Sequence, residues 1–276
     1  KEYLDRVRAK YAQVGRTART RTELYVEANR DGLLERARAM AEPLLVGETF
    51  DGGENHWQHA QEMAHILAGI GGSTAMQAAC YLVYACDHLA KPEDVIGKAF
   101  GASLAALAIE TSRLIRIQRQ ARLSANKEAH PDLGVENVRK MLLAFSRDLR
   151  VVMLRLASRL QTLRHFAASK LPVPAVLARE SLQVFAPLAN RLGIWQIKWE
   201  LEDLSFRFLE PDTYKQIAKL LDEKRVEREI NMQHLREQVQ TELASQNIKA
   251  SVQGRPKHIY SIVKKMRGKS LDFSQV

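Results

Sequence analysis

Apolar residues recur with the spacing of an α-helix along almost the whole chain before Asn247. Side chains three and four residues apart share one face of a helix, whereas strict alternation of apolar and polar residues would indicate a strand. One such helical face consists of Leu33, Leu34, Ala37, Met40, Ala41, Leu44 and Leu45. Strand-like alternation is nearly absent, so the pattern predicts a mainly α-helical protein.

Glycine and proline residues divide this helical pattern into segments of ordinary length. The breakers are Gly52-Gly53, Gly71-Gly72, Lys91-Pro92, His130-Pro131, residues 171–174 and Glu210-Pro211. A polar stretch at residues 124–134 predicts a mobile loop between two helices.

Residues 212–246 predict one long, charged amphipathic helix. Its apolar stripe would consist of Tyr214, Ile217, Leu220, Leu221, Ile230, Leu235, Val239 and Leu243. A β-rich stretch follows at residues 248–252, where we expect a strand. The chain therefore divides into a helical domain at 1–200, connecting helices at 201–246 and the start of a second domain at 247–276.

A cationic segment follows the expected strand at residues 254–266 and is called the basic run below. Gly254 and Pro256 would form a turn, after which apolar residues again recur at helical spacing. Between Asn247 and Lys269 there are seven Lys or Arg residues and no Asp or Glu. A strand-to-helix crossing of this kind points backbone N–H groups and the positive end of the helix at an anion. The same composition would also suit a solvated cationic edge.

Composition narrows the possible classes of protein only in part. The net charge of +10 attracts nucleotides, RNA or acidic surfaces without choosing among them. The two cysteines form no CxxC pair, which favours a reduced compartment, and we expect a cytoplasmic location. No apolar run approaches the roughly 18 residues that a membrane span needs, so no membrane partner is expected.

Two segments carry a family resemblance. The basic run, Gly-Arg-Pro-Lys-His-Ile-Tyr-Ser-Ile followed by a basic pair and Met, resembles the opening of the synthetase domain in RelA/SpoT-type stringent-response enzymes. Residues 185–194, Phe-Ala-Pro-Leu-Ala-Asn-Arg-Leu-Gly-Ile, and residues 198–204, Lys-Trp-Glu-Leu-Glu-Asp-Leu, are similar to segments upstream of that domain. The resemblance begins near Trp57 and is closest to the RelA branch.

The resemblance implies an all-α HD-type hydrolase domain, followed by the start of an α/β nucleotidyltransferase-like synthetase domain. Such enzymes transfer pyrophosphate from ATP to the 3′-hydroxyl of GTP or GDP and so make (p)ppGpp. By this resemblance, Arg255 would stack on or clamp the base and phosphates of ATP. Lys257, Ser261 and Lys265 would contact nucleotide phosphates, and Lys264 would add positive charge. Arg suits the first role because its planar group can stack and bind phosphate bidentately.

By the resemblance, the Mg²⁺-binding Asp and Glu would follow Val276, because residues 271–276 precede the strand that would bring the Asp, and no carboxylate lies in the basic run. Mg²⁺ is thus the cofactor implied for a complete synthetase, and this chain alone is expected to make no (p)ppGpp. The resemblance also implies a ribosome and uncharged tRNA as partners of a longer protein, through domains that this sequence does not contain.

The family's hydrolase holds Mn²⁺ with a His, an adjacent His-Asp pair and a later Asp. By the resemblance, these four HD positions correspond to His59, Leu82, Val83 and Ser158, and a following acidic pair corresponds to Cys86 and Asp87. Only the first ligand remains. A hard divalent ion would lack both charge and ligand number, so the hydrolase is predicted to be inactive.

Three alternatives stay open at this point. A different metal site could assemble from His56, His59, His65, Cys86, Asp87 and His88. The parent protein could be a bifunctional synthetase and hydrolase, against which Leu82, Val83 and Ser158 speak. The chain could instead be a basic regulatory or RNA-binding module, whose affinity would fall steeply with salt and ignore the identity of the base.

Overall fold

The computed structural model describes residues 21–125, 138, 140, 148–223, 225–252 and 257–275. These residues are mostly helical and contain no β-strand; their one isolated β-bridge joins Thr49 to Asn55. The predicted mainly α-helical fold is therefore confirmed. The loop predicted at residues 124–134 falls largely outside the described residues. Within the described part of the chain, no helix is long and apolar enough to cross a membrane.

The larger unit is a bundle of helices joined by short turns. Its helices are α1 (Arg21–Leu45), α2 (His56–Gly69), α3 (Thr74–Ala85), α4 (Pro92–Phe100), α5 (Ala102–Ala125), α6 (Leu149–Ser169), α7 (Ala175–Glu180), α8 (Ala186–Arg191) and α9 (Trp195–Leu209). Helix α3 is central, because it packs against α1, α2 and α5, while α6 packs against α2 and α9. A π-helical turn, Ser181–Phe185, connects α7 to α8.

The core of this bundle follows the apolar periodicity. Ala37, Ala41 and Leu45 are fully buried, as the first predicted face requires. Their neighbours Leu33, Leu34, Met40 and Leu44 are partly buried against the same core. Every residue of α3 from Ala78 to Ala85 is buried, which reflects its position between three other helices.

The predicted breakers act where the chain must turn. Gly71 has φ +81° between α2 and α3, a conformation that an L-residue rarely adopts. A Cβ at Gly72 would meet the Leu67 carbonyl oxygen at 2.8 Å, so a side chain there would force the turn to shift. Pro92 starts α4, where its missing N–H costs no hydrogen bond.

A smaller unit follows at the C-terminal side. It consists of α10 (Pro211–Glu223), α11 (Arg225–Ser245) and α12 (Ile259–Lys269). Phe206 of α9, Ile217 of α10 and Ile262 and Val263 of α12 form its small buried cluster. The predicted three-part division of the chain stays a prediction, although Leu201, just past the predicted boundary, still lies in the larger core.

The long helix predicted at residues 212–246 is described in two parts. Helix α10 ends at Glu223 and α11 begins at Arg225, and residue 224 lies outside the described residues. Of the apolar stripe, Ile217 of α10 is buried and its neighbours Tyr214 and Leu221 are partly buried. On α11, Ile230, Leu235 and Val239 are 63%, 59% and 40% exposed. The pattern identified an amphipathic helix correctly, but periodicity cannot show whether a partner covers the apolar face.

The strand expected at residues 248–252 is also absent from the structure. Gln240 of α11 binds this segment instead, because its side chain donates to the Ala250 carbonyl at 3.0 Å and accepts from the Val252 N–H at 3.3 Å. A strand forms only beside another strand that satisfies its backbone groups. The described residues offer no such neighbour.

Candidate functional site

The HD positions lie on three helices of the bundle. His59 lies on α2, Leu82 and Val83 on α3, and Ser158 on α6. His59 is 1% exposed and Ser158 is 5% exposed, so both polar side chains are buried. Of the four positions, the structure joins His59 and Ser158 by a side-chain contact.

The loop before α2 directs a carboxylate towards His59. Asn55 caps α2, because its side-chain oxygen accepts hydrogen bonds from the N–H groups of Trp57 at 3.0 Å and Gln58 at 3.2 Å. Its amide nitrogen donates to the carbonyl oxygens of Val46 at 2.7 Å and Glu48 at 3.1 Å. Asn55 thus fixes the loop on both sides, with the neighbouring Glu54 buried in the bundle.

His59 is held at both ring nitrogens. Its Nδ1 lies 2.8 Å from Glu54 Oε2, and its Nε2 lies 3.2 Å from Ser158 Oγ. The second oxygen of Glu54 accepts a hydrogen bond from Gln161 Nε2 at 2.7 Å. His59, the one HD position at which a metal ligand is predicted to remain, is therefore engaged by protein groups at both nitrogens.

Arg155 supplies a buried positive charge beside the same serine. Its guanidinium donates to Ser158 Oγ at 3.1 Å and, through Nε and Nη2, to Gln118 Oε1 at 3.1 and 2.7 Å. Burial lowers the pKa of Arg155, and burial also raises the pKa of Tyr84, whose hydroxyl lies 3.0 Å from Ser158 Oγ. A guanidinium thus lies next to Ser158, the last of the predicted HD positions.

The other two HD positions are apolar and fully packed. Leu82 is 0% exposed and Val83 is 1% exposed, and both belong to the larger hydrophobic core. Neither side chain can bind a metal ion. Asp87 lies further along the chain, where it accepts a hydrogen bond from Ser112 at 3.3 Å and faces Arg116 at 3.8 Å.

The alternative metal site of six residues does not assemble. His65 is on the surface beside Glu62, 3.6 Å away. Burial raises the pKa of the Cys86 thiol to about 12, which opposes thiolate coordination. In the parts of the chain that the structure describes, no three His, Cys, Asp or Glu side chains form a group that could hold a metal ion.

A second buried cluster stabilises the same helix. Arg159, one turn after Arg155 on α6, donates to Glu180 Oε2 at 2.8 Å and lies 4.2 Å from the centre of the Phe185 ring. Arg122 of α5 reaches the same carboxylate oxygen at 3.3 Å. Burial lowers the pKa of Arg159, and the negative charge of Glu180 opposes that change. These contacts tie α5, α6 and α7 together.

The basic run lies at the beginning of α12. Arg255 is outside the described residues. Lys257 and Lys264 are exposed, and Ser261 and Lys265 are half-buried one helical turn apart. Three of these four residues lie on α12, and Lys257 directly precedes its N-cap residue. Their role as a nucleotide site stays a prediction.

The start of α12 differs from the expected anion site in one respect. Its Tyr260 N–H already donates to Asp203 Oδ1 of α9 at 2.9 Å, and His258 Nδ1 lies 3.3 Å from Asp203 Oδ2. A carboxylate of the protein therefore occupies the positive end of this helix. The expectation that the N-terminal end of α12 faces an external anion is therefore wrong at the Tyr260 N–H. The lysines of the basic run remain as groups that could bind an anion.

Sequence reasoning missed several residues of these clusters. Arg155 and Arg159 had a recognisable signal, because they recur four residues apart within the buried face of α6. Asp203 lies in the segment that carries the resemblance, but nothing in its neighbourhood along the chain indicates a contact with α12. Gln118 and Tyr84 gave no signal above that of ordinary helix residues.

Known proteins match this chain over most of its length. The HD domain family matches residues 37–195. The chain is 36% identical over 245 residues, 88% of this chain and 31% of the relative, to the probable guanosine-3′,5′-bis(diphosphate) 3′-pyrophosphohydrolase of Synechocystis sp.. It is 38% identical over 219 residues, 78% of this chain and 29% of the relative, to the GTP pyrophosphokinase of Escherichia coli strain K12.

A third relative, from Haemophilus influenzae, is named guanosine-3′,5′-bis(diphosphate) 3′-pyrophosphohydrolase and is 34% identical over 230 residues, 83% of this chain and 33% of the relative. The chain spans about a third of the length of these relatives. Their names include both synthesis and hydrolysis, so they support (p)ppGpp metabolism without choosing a direction. The HD domain match and these relatives together show that the chain belongs to the RelA/SpoT family of HD-domain proteins.

Proposed function

We propose that this chain is the N-terminal part of a GTP pyrophosphokinase whose HD domain no longer hydrolyses (p)ppGpp. The observation that carries the proposal is the content of the HD positions: a buried Leu-Val pair and a serine hydrogen-bonded to Arg155. The complete protein would transfer pyrophosphate from ATP to GTP or GDP. Mg²⁺ would be its cofactor, held by carboxylates that follow Val276.

Charge gives the first argument against hydrolysis. A divalent cation with oxygen and nitrogen ligands needs negative groups around it. Here the buried carboxylate of Glu54 is engaged by His59 and Gln161, and the nearest charged group to Ser158 is a guanidinium 3.1 Å away. A cation in this region would be repelled by Arg155 and would find no carboxylate at positions 82, 83 or 158.

Hydrogen-bond satisfaction gives the second argument. His59 and Arg155 both contact Ser158 Oγ, at 3.2 and 3.1 Å, so opening the region for a metal ion would break several buried hydrogen bonds. Each such bond contributes about 1 kcal/mol to stability, and a buried polar group left alone costs about 1–3 kcal/mol. The network therefore serves the packing of the bundle.

Hydrolysis is the direct test. Purified protein is incubated with ppGpp and excess Mn²⁺, and released pyrophosphate is measured beside an active hydrolase of the family as the positive control. We expect no turnover above a protein-free blank. Mn²⁺-dependent turnover that His59→Ala abolishes would refute the proposal and favour a bifunctional synthetase and hydrolase.

Synthesis is tested with two lengths of the protein. The 276-residue chain is assayed with ATP, GDP and Mg²⁺ beside a longer protein that includes the complete synthetase domain. We expect (p)ppGpp only from the longer protein, because pyrophosphate transfer needs the carboxylates that hold Mg²⁺. Synthesis by the shorter chain would show that the metal ligands have been placed wrongly.

A basic regulatory or RNA-binding module remains the alternative from another class. A longer protein that makes no (p)ppGpp and binds RNA with a steep salt dependence would favour it. A ribosome and uncharged tRNA stay predicted partners of the longer protein, and the cytoplasm stays its predicted location.

A further inference from the structure

Side-chain contacts at both ends of α12 join this helix to α9 and to the turn that follows α9. At the first end, Asp203 binds Tyr260 N–H and faces His258. At the last turn, Arg267 donates to Glu210 at 2.9 and 2.5 Å. Helix α9 also contributes to the core of the larger bundle, through Leu201. The basic run is thereby attached to the HD domain and not only to its own chain neighbours.

We infer that Asp203 is a positioning residue for the nucleotide phosphates, because it sets where α12 begins and how Lys257, Ser261 and Lys265 are presented. This inference rests on the proposed function. Asp203 would not itself touch the nucleotide. It acts through the backbone of Tyr260 and the ring of His258.

The helix needs this carboxylate because it has no cap of its own. The residue at the N-cap position is His258, and its side chain makes no capping hydrogen bond. Helices usually place Ser, Thr, Asp or Asn there to satisfy the first N–H groups. Asp203 supplies the missing acceptor from 57 residues away, and its charge also complements the positive end of the helix.

Aromatic contacts fix the direction of the same turn. The His258 ring stacks on Trp199 of α9 with the ring centres 5.1 Å apart and the planes at 19°. The Tyr260 ring packs against Phe206, 5.6 Å between centres. Residues 258 and 260 are thus both held by α9, and Lys257 precedes the first of them while Ser261 follows the second.

The carboxylate also decides where an external phosphate can bind. An anion cannot share Tyr260 N–H with Asp203, since two negative groups would meet there. The exposed Lys257 and Lys264 lie outside that contact and keep their charges for an incoming phosphate. Asp203 therefore separates the helix end, used for positioning, from the lysines, used for binding.

Hydrogen exchange tests the attachment in the 276-residue chain. Asp203→Ala is compared with Asp203→Asn, which keeps a capping oxygen without the charge, and with Asp222→Asn, which makes the same charge change on the exposed surface of α10. In the Ala variant we expect exchange at residues 257–263 to rise about fivefold, a typical effect of losing a helix cap. The Asn variant should stay within about twofold of wild type. Unchanged exchange in the Ala variant would overturn the inference.

Synthesis kinetics test positioning in the longer protein. We expect Asp203→Ala to raise the KM for ATP about fivefold and to leave kcat within about twofold of wild type. The KM of Asp203→Asn should return most of the way to the wild-type value, and that of Asp222→Asn should match it. Faster exchange with an unchanged KM would mean that Asp203 only completes the helix, which overturns the inference and leaves the proposed function intact. If the wild-type longer protein makes no (p)ppGpp, the proposed function fails and exchange alone decides whether Asp203 fixes α12.

Discussion

Replacing Leu82 by Asp tests whether an HD position has become part of the core. Leu82 is 0% exposed on a helix that three others surround. Removing a buried leucine costs about 2–5 kcal/mol, and burying a polar group without a partner costs about 1–3 kcal/mol more. The free energy of unfolding should therefore fall by about 4–6 kcal/mol.

Thermal unfolding measures this loss. For domains of this size, each kcal/mol moves the melting temperature by about 2–4 °C, so Leu82→Asp should lower it by roughly 10–20 °C. Leu82→Met preserves volume and should cost less than about 1.5 kcal/mol. Ile230→Asp introduces the same carboxylate at a side chain that is 63% exposed, and it should change stability by no more than about 0.5 kcal/mol.

The result can refute the reasoning in two ways. A Leu82→Asp protein that melts within about 2 °C of wild type would show that position 82 is not a core position. Gain of Mn²⁺-dependent hydrolysis would show that the region still accepts a metal ion. In the longer protein the same variant should disturb (p)ppGpp synthesis without creating hydrolysis, because the bundle carries α9 and through it α12.

Two further predictions concern the buried polar clusters. Glu180→Gln leaves Arg159 buried without its negative partner, so the free energy of unfolding, measured by urea denaturation, should fall by about 3–5 kcal/mol. Arg122→Met, at the partly exposed edge of the cluster, should cost far less, and equal effects of the two variants would contradict this prediction. Burial raises the pKa of Tyr84, so the folded state holds a proton that the unfolded state releases above about pH 10, and wild-type stability should fall as pH rises from there. Tyr84→Phe should make stability less dependent on pH above about pH 10, and near neutral pH it should cost about 1 kcal/mol for the lost contact with Ser158. If the variant loses stability between pH 10 and 11 as steeply as wild type does, Tyr84 is not the group responsible.

The sequence was most informative where local pattern decides structure. Apolar spacing predicted the face containing Ala37, Ala41 and Leu45, and Gly71 and Pro92 marked real helix ends. These features depend on residues within one or two turns of each other. The HD positions stay a prediction from the resemblance, and the bundle places two of them, His59 and Ser158, in side-chain contact.

Contacts between distant residues could not be predicted in the same way. The bond from Arg155 to Gln118 joins residues 37 positions apart, and that from Tyr260 to Asp203 joins residues 57 positions apart. Both depend on how helices cross and on which rotamers fit, neither of which periodicity specifies. The expected strand at residues 248–252 failed for a related reason, because a strand is defined by its neighbour.

The packed interior of the HD domain also constrains how the sequence can change. By the predicted correspondence, a metal site would require new ligands at 82, 83 and 158 together, because no single one of them binds a metal ion. Each step taken alone would place a polar or charged group in the packed interior or beside the Arg155 network, and the protein would lose stability before it gained any activity. Under the proposed function, a stepwise return to hydrolysis would therefore be opposed by the packing of the fold itself.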